Sequence, residues 1–106
     1  VEKYAKKYSI TILLKGQIDI ISNGTKTYTN VKNTPAMTVG GTGDVLSGLT
    51  AGFLSRNRNA LESASSAAFV NGLSGKITQK QFGLHLTATD LIENLPHVLK
   101  PFDKIK

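Results

Sequence analysis

The sequence predicts an α/β fold, and specifically the C-terminal part of an α/β domain. Three observations lead to this prediction: a short apolar strand near the start, a β-hairpin directly after it, and helical periodicity from there onwards. Because α/β domains alternate strands and helices, several helices in succession are expected at the end of such a domain. A chain of 106 residues is long enough for only one small core. We therefore expect residues 1–106 to form a single partial domain.

The β-strands come first. Residues 9–14 are mostly apolar and β-branched, which is typical of a strand that is buried on both faces in a parallel sheet. The residues before them are expected to lead into this strand. Two further strand-like runs, residues 17–22 and 25–30, lie on either side of Asn23-Gly24. An Asn-Gly pair between such runs predicts a hairpin in which both turn residues have positive φ.

A loop over residues 31–42 precedes the first helix, which is predicted from Gly43. Apolar side chains recur in this helix at intervals of three and four residues, as expected for one buried face: Val45, Leu46, Leu49, Phe53 and Leu54. Gly48 and Gly52 also lie inside it. A glycine in a helix costs about 1 kcal/mol relative to alanine, so we expect close packing against a sheet or another helix at both positions.

Two more helices are predicted after a break at residues 56–59. One extends from Ala60 to about Ile77, with Asn59 as its cap and Glu62 completing a capping-box-like pair. Its predicted inward residues are Leu61, Ala64, Ala68 and Leu73. The last helix begins at Thr87, with Asp90 three residues later. Its predicted inward residues are Leu91, Ile92 and Leu95.

The composition excludes several classes of protein. Cysteine is absent, which excludes disulfides, thiolate catalysis and cysteine-based metal centres. The absence of cysteine also fits a cytoplasmic protein. No apolar stretch reaches the length of about 20 residues that a membrane-spanning helix needs, and no signal peptide is recognisable, so no membrane partner is expected. The net charge of +6 favours anionic partners. Because the basic residues form no block and no aromatic residues are interleaved with them, nucleic acid is not expected as a partner.

The strongest functional signal lies in residues 38–48. Gly40, Gly41 and Gly43 allow the backbone to approach a ligand closely, and they lead into a helix whose N-terminal amides and dipole attract anions. A phosphate group can be held there without a lysine in the loop. The Gly-Lys-Ser/Thr of a P-loop and the third glycine of a dinucleotide fingerprint are both missing. Asp44 is either an ordinary first-turn carboxylate or a general base that accepts the proton of an attacking hydroxyl.

The segment from Gly40 to Gly48 resembles the signature of ADP-dependent NAD(P)H-hydrate dehydratases, a branch of the ribokinase-like superfamily. Residues 14–19, 33–37, 71–75 and 86–91 are similar to further segments of that family, in the same order. The resemblance extends over about residues 9–96. It implies a ribokinase-like three-layer α/β/α domain, of which this chain is the C-terminal portion (strand, β-hairpin, glycine loop, then helices). It also implies that N-terminal strands supply most of the substrate pocket.

The resemblance further implies a repair lyase. ADP, or ATP in some members, phosphorylates the hydroxyl of hydrated NADH or NADPH, and loss of phosphate restores the dihydropyridine. Asp44 would contact the hydrated nicotinamide and act as the base. The nucleotide phosphates would be bound by Gly40, Gly41, Thr42 and Gly43, and the nucleotide would also lie along Lys15, Gly16, Gln17, Ile18 and Asp19. Mg²⁺ is expected with the nucleotide, although no residue is predicted as a dedicated metal ligand.

Two other functions stay open. A ribokinase-like kinase of a sugar or vitamin precursor keeps the fold, but sugar kinases usually have Gly-Ala-Gly-Asp where this chain has Thr42. Kinases of thiazole or pyrimidine precursors tend to have Cys at the position of Asp44. A non-catalytic nucleotide-binding fragment is the alternative from another class, and the presence of Asp44 counts against it. For assembly, the alternatives are a homo-oligomer and association with an N-terminal portion of the domain.

Four residues outside the glycine loop have simpler interpretations. Met37 is expected to pack beside the loop, and His85 and His97 are expected at the surface. Asn71 lies on the predicted second helix, which backs the nucleotide site, and could contact the base or ribose.

Overall fold

The structure, a computed structural model, describes residues 1–31, 34–38, 40–56 and 59–102. Asn33, in the family-like segment 33–37, and Val39, in the glycine-rich segment 38–48, lie outside the described residues. The regular elements are helix α1 (Glu2–Tyr8), strands β1 (Ile12–Leu14), β2 (Asp19–Ser22) and β3 (Thr27–Asn30), and helices α2 (Thr42–Arg56), α3 (Ala60–Phe82) and α4 (Ala88–Leu99). Short 3₁₀ turns cover Pro35–Thr38, Gly83–His85 and Lys100–Phe102.

Helix α1 was not predicted, because residues 1–8 were expected to lead into a strand. A helix of seven residues is only marginally stable by itself, and it carries little local signal. Here it is stabilised by contact with the hairpin turn: a Cβ atom added to Gly24 would lie 2.6 Å from the Cα of Lys6. The hydroxyl of Thr27 also donates a hydrogen bond to Glu2 at 2.8 Å. Ser9 ends the helix in the left-handed conformation, with φ of 53°.

The three strands form one antiparallel sheet in the order β1-β2-β3. Leu14 pairs with Ile20, and Ser22 pairs with Thr27 across the hairpin, so the predicted hairpin is confirmed. The prediction for β1 differs from this sheet in two respects. The strand is shorter than residues 9–14, and its only partner among the described strands is antiparallel β2. Leu14 is accordingly 52% exposed rather than buried between two layers.

The hairpin turn has a different geometry from the predicted one. Gly24 has a φ of 90°, but Asn23 is not in the left-handed region. Instead, the side-chain oxygen of Asn23 accepts hydrogen bonds from the amides of Thr25 and Lys26, at 2.9 and 2.8 Å. Asn23 therefore stabilises a longer turn with its side chain, as asparagine often does, and only the glycine supplies positive φ.

Helix α3 packs against the sheet and lies in contact with α2 and α4. Between β2, α2 and α3 is a core of buried apolar residues, many of them small: Ile21, Leu46, Leu61, Ala64, Ala67 and Ala68. Burial of Leu61, Ala64 and Ala68 confirms most of the predicted inward face of this helix, and the small alanines allow it to approach the strands closely. The side-chain Nδ2 of Asn30 also donates a hydrogen bond to the carbonyl of Ala68 at 2.9 Å, which connects β3 to α3.

The capping residues predicted where α3 and α4 begin, whereas the apolar periodicity did not predict where α3 ends. Asn59 caps α3 by accepting from the amide of Glu62 at 3.0 Å, as predicted. The helix continues past Ile77 to Phe82, because Gly83 is the first residue that interrupts it. Thr87 and Asp90 form a reciprocal capping box at the start of α4. The predicted burial of Ile92 is wrong, since this side chain is 52% exposed.

A second core holds the glycine loop in place. It consists of Met37, Val45, Leu86 and Leu91, contributed by the 3₁₀ turn, α2 and the region of α4. Met37 packs so closely on α3 that a Cβ atom at Gly75 would lie 2.1 Å from its sulfur. Met37 is therefore a packing residue, as predicted.

The two glycines inside α2 have no close neighbour in the described part of the chain. A Cβ atom on Gly48 or on Gly52 would meet nothing within 4 Å, so the close packing expected there is not formed by these residues. Among the described residues, no helix combines the length and apolarity that crossing a membrane requires.

Candidate active site

The glycine loop turns directly into the N-terminus of α2. Gly41 has a φ of 91°, and its carbonyl accepts the first helical hydrogen bond, from the amide of Val45 at 3.1 Å. A Cβ atom at Gly41 would lie 2.9 Å from the Cβ of Ala88, the first residue of α4. The loop therefore needs glycine here for two reasons, its backbone conformation and the close approach of α4.

Thr42, the first residue of α2, joins the loop to two other segments. Its side chain is buried, and its hydroxyl donates a hydrogen bond to the carbonyl of Met37 at 2.7 Å. The same oxygen accepts a hydrogen bond from Nζ of Lys15 at 3.3 Å. The structure thus brings Lys15 to the N-terminus of α2, which unites the two segments predicted to bind the nucleotide.

Lys15 and its neighbours form the turn between β1 and β2. The side chains at residues 15–18 are exposed, but Asp19 at the end of the turn is only 1% exposed. Its two carboxylate oxygens accept hydrogen bonds from the amide of Gly16 and from Nδ2 of Asn30, both at 3.1 Å. Of the five residues predicted to lie along the nucleotide, Asp19 is therefore the one that faces the interior of the protein.

Two surface grooves meet the beginning of α2, one on each side of the helix. One, of about 630 Å³, is lined by Lys15 and Gly43 together with apolar residues of β1 and α2. The other, of about 600 Å³, lies between α2 and α4, and Asp44 and Gly41 are at its edge. The helix N-terminus, with its amides that lack helical acceptors, thus lies between a groove that contains Lys15 and a groove that contains Asp44.

Asp44 is exposed in the first turn of α2. Besides Asp44, the groove between α2 and α4 is mainly apolar, with Val45, Leu49, Ile92 and Leu95 in its walls. A carboxylate at the edge of an apolar groove can accept a proton from a hydroxyl group held in that groove. The exposed position of Ile92, which sequence periodicity assigned to the core, places this side chain in the same groove.

Two residues near the site, Ala88 and Arg56, had no clear signal in the sequence, whereas Asn71 was considered a possible contact of the base or ribose. Ala88 lies next to Gly41 only because the chain folds back after α3 and places the start of α4 beside the loop. Arg56, at the C-terminal end of α2, lines the same groove as Asp44. Asn71 is buried, and its side-chain oxygen has no hydrogen-bond partner in the described structure. The predicted surface positions of His85 and His97 are correct. Within the described ranges, no three acidic or histidine side chains cluster as metal ligands.

The family model for NAD(P)H-hydrate dehydratase matches residues 1–97 of the chain. The chain belongs to this family. Lys15, Met37, Thr42 and Ala88, which belong to segments that resemble this family in the sequence, lie together around the N-terminus of α2.

Individual members of the dehydratase family agree with this assignment. The ADP-dependent (S)-NAD(P)H-hydrate dehydratase of Nitrosopumilus maritimus is 64% identical over 105 residues, which are 99% of this chain and 37% of that protein. The protein of the same description from Cenarchaeum symbiosum is 58% identical over 106 residues, which are 100% of this chain and 37% of that protein. The chain therefore spans little more than a third of the length of these relatives.

The fold is shared with a solved structure of the family. The ADP/ATP-dependent NAD(P)H-hydrate dehydratase of Bacillus subtilis, co-crystallised with ATP/Mg²⁺ and soaked with CoA, superposes with a TM-score of 0.84 at 28% identity. The match covers 96% of this chain and 40% of that protein. The predicted ribokinase-like α/β fold class is confirmed by this likeness.

Proposed function

We propose that this chain is the nucleotide-binding and base-carrying part of an ADP-dependent NAD(P)H-hydrate dehydratase. The observation that carries the proposal is the meeting of Lys15 with Thr42 at the N-terminus of α2, next to Asp44. A cation and a carboxylate on either side of a helix N-terminus are groups that can serve phosphoryl transfer to a hydroxyl. The family and the descriptions of the relatives support the same reaction.

The nucleotide phosphates are proposed to bind at the glycine loop. Gly40 and Gly41 carry no side chain that blocks an approach, and the backbone amides at Thr42 and Gly43 begin the helix. Lys15 adds a positive charge at the same helix end. Such an arrangement stabilises the negative charge that develops on a phosphoryl group as it is transferred. The exposed residues of the β1–β2 turn, Gly16, Gln17 and Ile18, are proposed to lie along the rest of the nucleotide.

Asp44 is proposed to be the general base. Its exposed carboxylate lies one residue after Gly43, so a hydroxyl that it holds is next to the proposed phosphate position. The hydroxyl of the hydrated nicotinamide ring would take the terminal phosphoryl group of ADP, which leaves AMP, and loss of that phosphate together with a proton from the adjacent ring carbon would restore the ring double bond. Asp44 takes the proton of that hydroxyl, and the helix N-terminus orients the phosphoryl group for attack.

Mg²⁺ is proposed to enter with the nucleotide rather than to occupy a site built by this chain. The described residues contain no cluster of three metal-ligating side chains, and the carboxylate of Asp19 is already hydrogen-bonded in the interior. Mg²⁺ commonly keeps several water molecules and binds through one or two carboxylates and substrate phosphates. Of the acidic side chains near the loop, Asp44 is the one that could approach such an ion.

The remaining two-thirds of the relatives' length is proposed to supply the other walls of the substrate pocket. In the described residues, Asp44 faces a groove that is open to the surface. A site that transfers a phosphoryl group to a bound hydroxyl must exclude competing water, so a further part of the protein is expected to cover this groove.

The proposal is tested with the full-length protein, hydrated NADH and Mg²⁺, by following the return of NADH absorbance. ADP and ATP are compared with AMP, which keeps the adenosine but lacks a phosphoanhydride bond, and with no nucleotide. Recovery that requires ADP or ATP is the expected result and also decides between the two nucleotides. No recovery by a folded protein that binds nucleotide would contradict the proposal and favour a kinase of another small molecule.

A further inference from the structure

A buried carboxylate anchors the turn that carries Lys15. Lys15 and the next three residues are exposed, whereas Asp19 is nearly inaccessible to solvent. A carboxylate in the interior is unfavourable unless hydrogen bonds compensate for its lost hydration. The amide of Gly16 supplies one such bond, and the side chain of Asn30 supplies the other.

These bonds form a continuous path to the proposed phosphate site. Nδ2 of Asn30 donates both to Asp19 and to the carbonyl of Ala68, so the carboxylate is fixed relative to α3. The other oxygen of Asp19 holds the amide of Gly16, the residue directly after Lys15. Lys15 in turn reaches Thr42 at the start of α2. The backbone at Gly16 is therefore connected to α3, and the side chain of Lys15 contacts the neighbouring helix α2.

We propose that Asp19 is a positioning residue, which acts on nucleotide binding by holding the turn so that Lys15 stays at the N-terminus of α2. It does so from the interior, without a contact of its own to the nucleotide. The inference rests on the proposed function, because it takes the ligand of Lys15 to be the nucleotide phosphates. A long, flexible lysine side chain loses considerable entropy when it is held in one place, so a fixed turn lowers the cost of using it.

Asp19→Asn in the full-length protein tests the proposal. Asparagine has the same shape but carries an NH₂ donor in place of one carboxylate oxygen, so one of the two oxygens that accept from Gly16 and Asn30 is lost. We expect the dissociation constant of ADP, measured by calorimetry, to rise about tenfold, which corresponds to ~1.4 kcal/mol. The KM for hydrated NADH is expected to stay within about twofold, because the groove of Asp44 lies on the other side of α2.

A double-mutant cycle with Lys15→Met separates positioning from a direct contact. If Asp19 acts through Lys15, Asp19→Asn changes the ADP dissociation constant by less than about twofold once Lys15 is already methionine. Independent effects, in which the two losses multiply, would overturn the proposal. So would an unchanged dissociation constant in the single variant.

A matched control distinguishes positioning from a general loss of stability. Ser74 is buried like Asp19, and its hydroxyl donates to the carbonyl of Leu91 at 2.7 Å, in the contact between α3 and α4. Ser74→Ala is expected to lower the melting temperature without changing ADP affinity. If it weakens ADP binding as much as Asp19→Asn does, the effect of Asp19 is only structural and the proposal is wrong.

A second variant is used if Asp19→Asn does not fold. Asn30→Ala removes one of the two donors and leaves the bond from Gly16 to Asp19. It should raise the ADP dissociation constant by a smaller factor than Asp19→Asn does, and again only while Lys15 is present. An unchanged dissociation constant, or an effect that multiplies with that of Lys15→Met, would overturn the proposal. The two proposals fail separately. If the effects of Asp19→Asn and Lys15→Met on ADP binding are coupled but the unmodified protein returns no NADH, only the proposed dehydratase function is contradicted. If the unmodified protein returns NADH normally but the two effects are independent, only the proposed role of Asp19 is contradicted.

Discussion

Nζ of Lys15 lies 3.3 Å from the hydroxyl oxygen of Thr42, a residue 27 positions further along the chain. The same hydroxyl donates to the carbonyl of Met37 at 2.7 Å. One threonine side chain therefore connects the end of β1, the 3₁₀ turn before the glycine loop and the first turn of α2. The geometry of the proposed phosphate site depends on this connection, and it leads to the first prediction.

Thr42→Val is expected to lower the free energy of unfolding by about 1–3 kcal/mol, because the buried carbonyl of Met37 loses its donor. ADP affinity is expected to fall as well, since Lys15 loses an acceptor that holds it at the helix. Thr42→Ser keeps the hydroxyl and is the matched control, for which we expect less than half of each effect. Chemical denaturation and calorimetry measure the two quantities. Equal losses in both variants would show that the methyl group matters rather than the hydroxyl.

Asp44→Asn is expected to reduce turnover of hydrated NADH by a factor of about 10²–10⁴, the usual contribution of a general base. Nucleotide binding is expected to survive, and removal of a first-turn charge should cost only about 0.3–1 kcal/mol of stability. Glu62→Gln, which removes an exposed first-turn carboxylate from α3, is the control and should leave turnover unchanged. Turnover of Asp44→Asn within tenfold of the unmodified protein would rule out the assignment of the base.

Gly41→Ala is expected to destabilise the protein, because alanine in the left-handed region costs about 1–2 kcal/mol and its Cβ would also clash with Ala88. The neighbouring variant Gly40→Ala is the control: its added Cβ would meet nothing within 4 Å, and its φ is not in that region. Thermal denaturation compares the two. Combining Gly41→Ala with Ala88→Gly should recover the part of the loss that is due to the clash. A larger loss from Gly40→Ala would show that the loop has another conformation.

Gly75→Ala is expected to cost about 1–3 kcal/mol, since the new methyl group would overlap the side chain of Met37. The penalty should shrink in a Met37→Ala background, where the overlapping atoms are absent. A double-mutant cycle on the free energy of unfolding measures this coupling, which for residues in contact is about 0.5–3 kcal/mol. Additive effects would mean that Met37 does not pack on α3 in solution.

The sequence predicted correctly those elements whose geometry depends on residues only a few positions away in the chain. The hairpin around Gly24 and the caps at Asn59 and Thr87 depend on hydrogen bonds within a few positions. The glycine loop is in the same class, because glycine is what its backbone requires wherever the rest of the chain lies. Even here the local signal was incomplete, since the Asn-Gly pair indicated a hairpin but not how Asn23 uses its side chain.

Other features were out of reach because they depend on distant segments. Helix α1 is stabilised by the hairpin turn, and Ile92 is exposed because it lines the surface groove between α2 and α4, together with Asp44. Periodicity shows that a helix has an apolar face, but not which residues at the edge of that face are covered by a neighbour. The shortness of β1 and its antiparallel partner likewise follow from which strands surround it.

The sequence by itself determined the family, the order of the elements after α1, and the residue types of the proposed site. These depend on motifs whose chemistry is carried by adjacent residues, such as the glycines and Asp44. Only the tertiary structure decided that Lys15 meets Thr42 and that Asp19 lies in the interior beneath the turn. Contacts between residues far apart in the chain are selected by the burial of the whole core, which no local pattern contains.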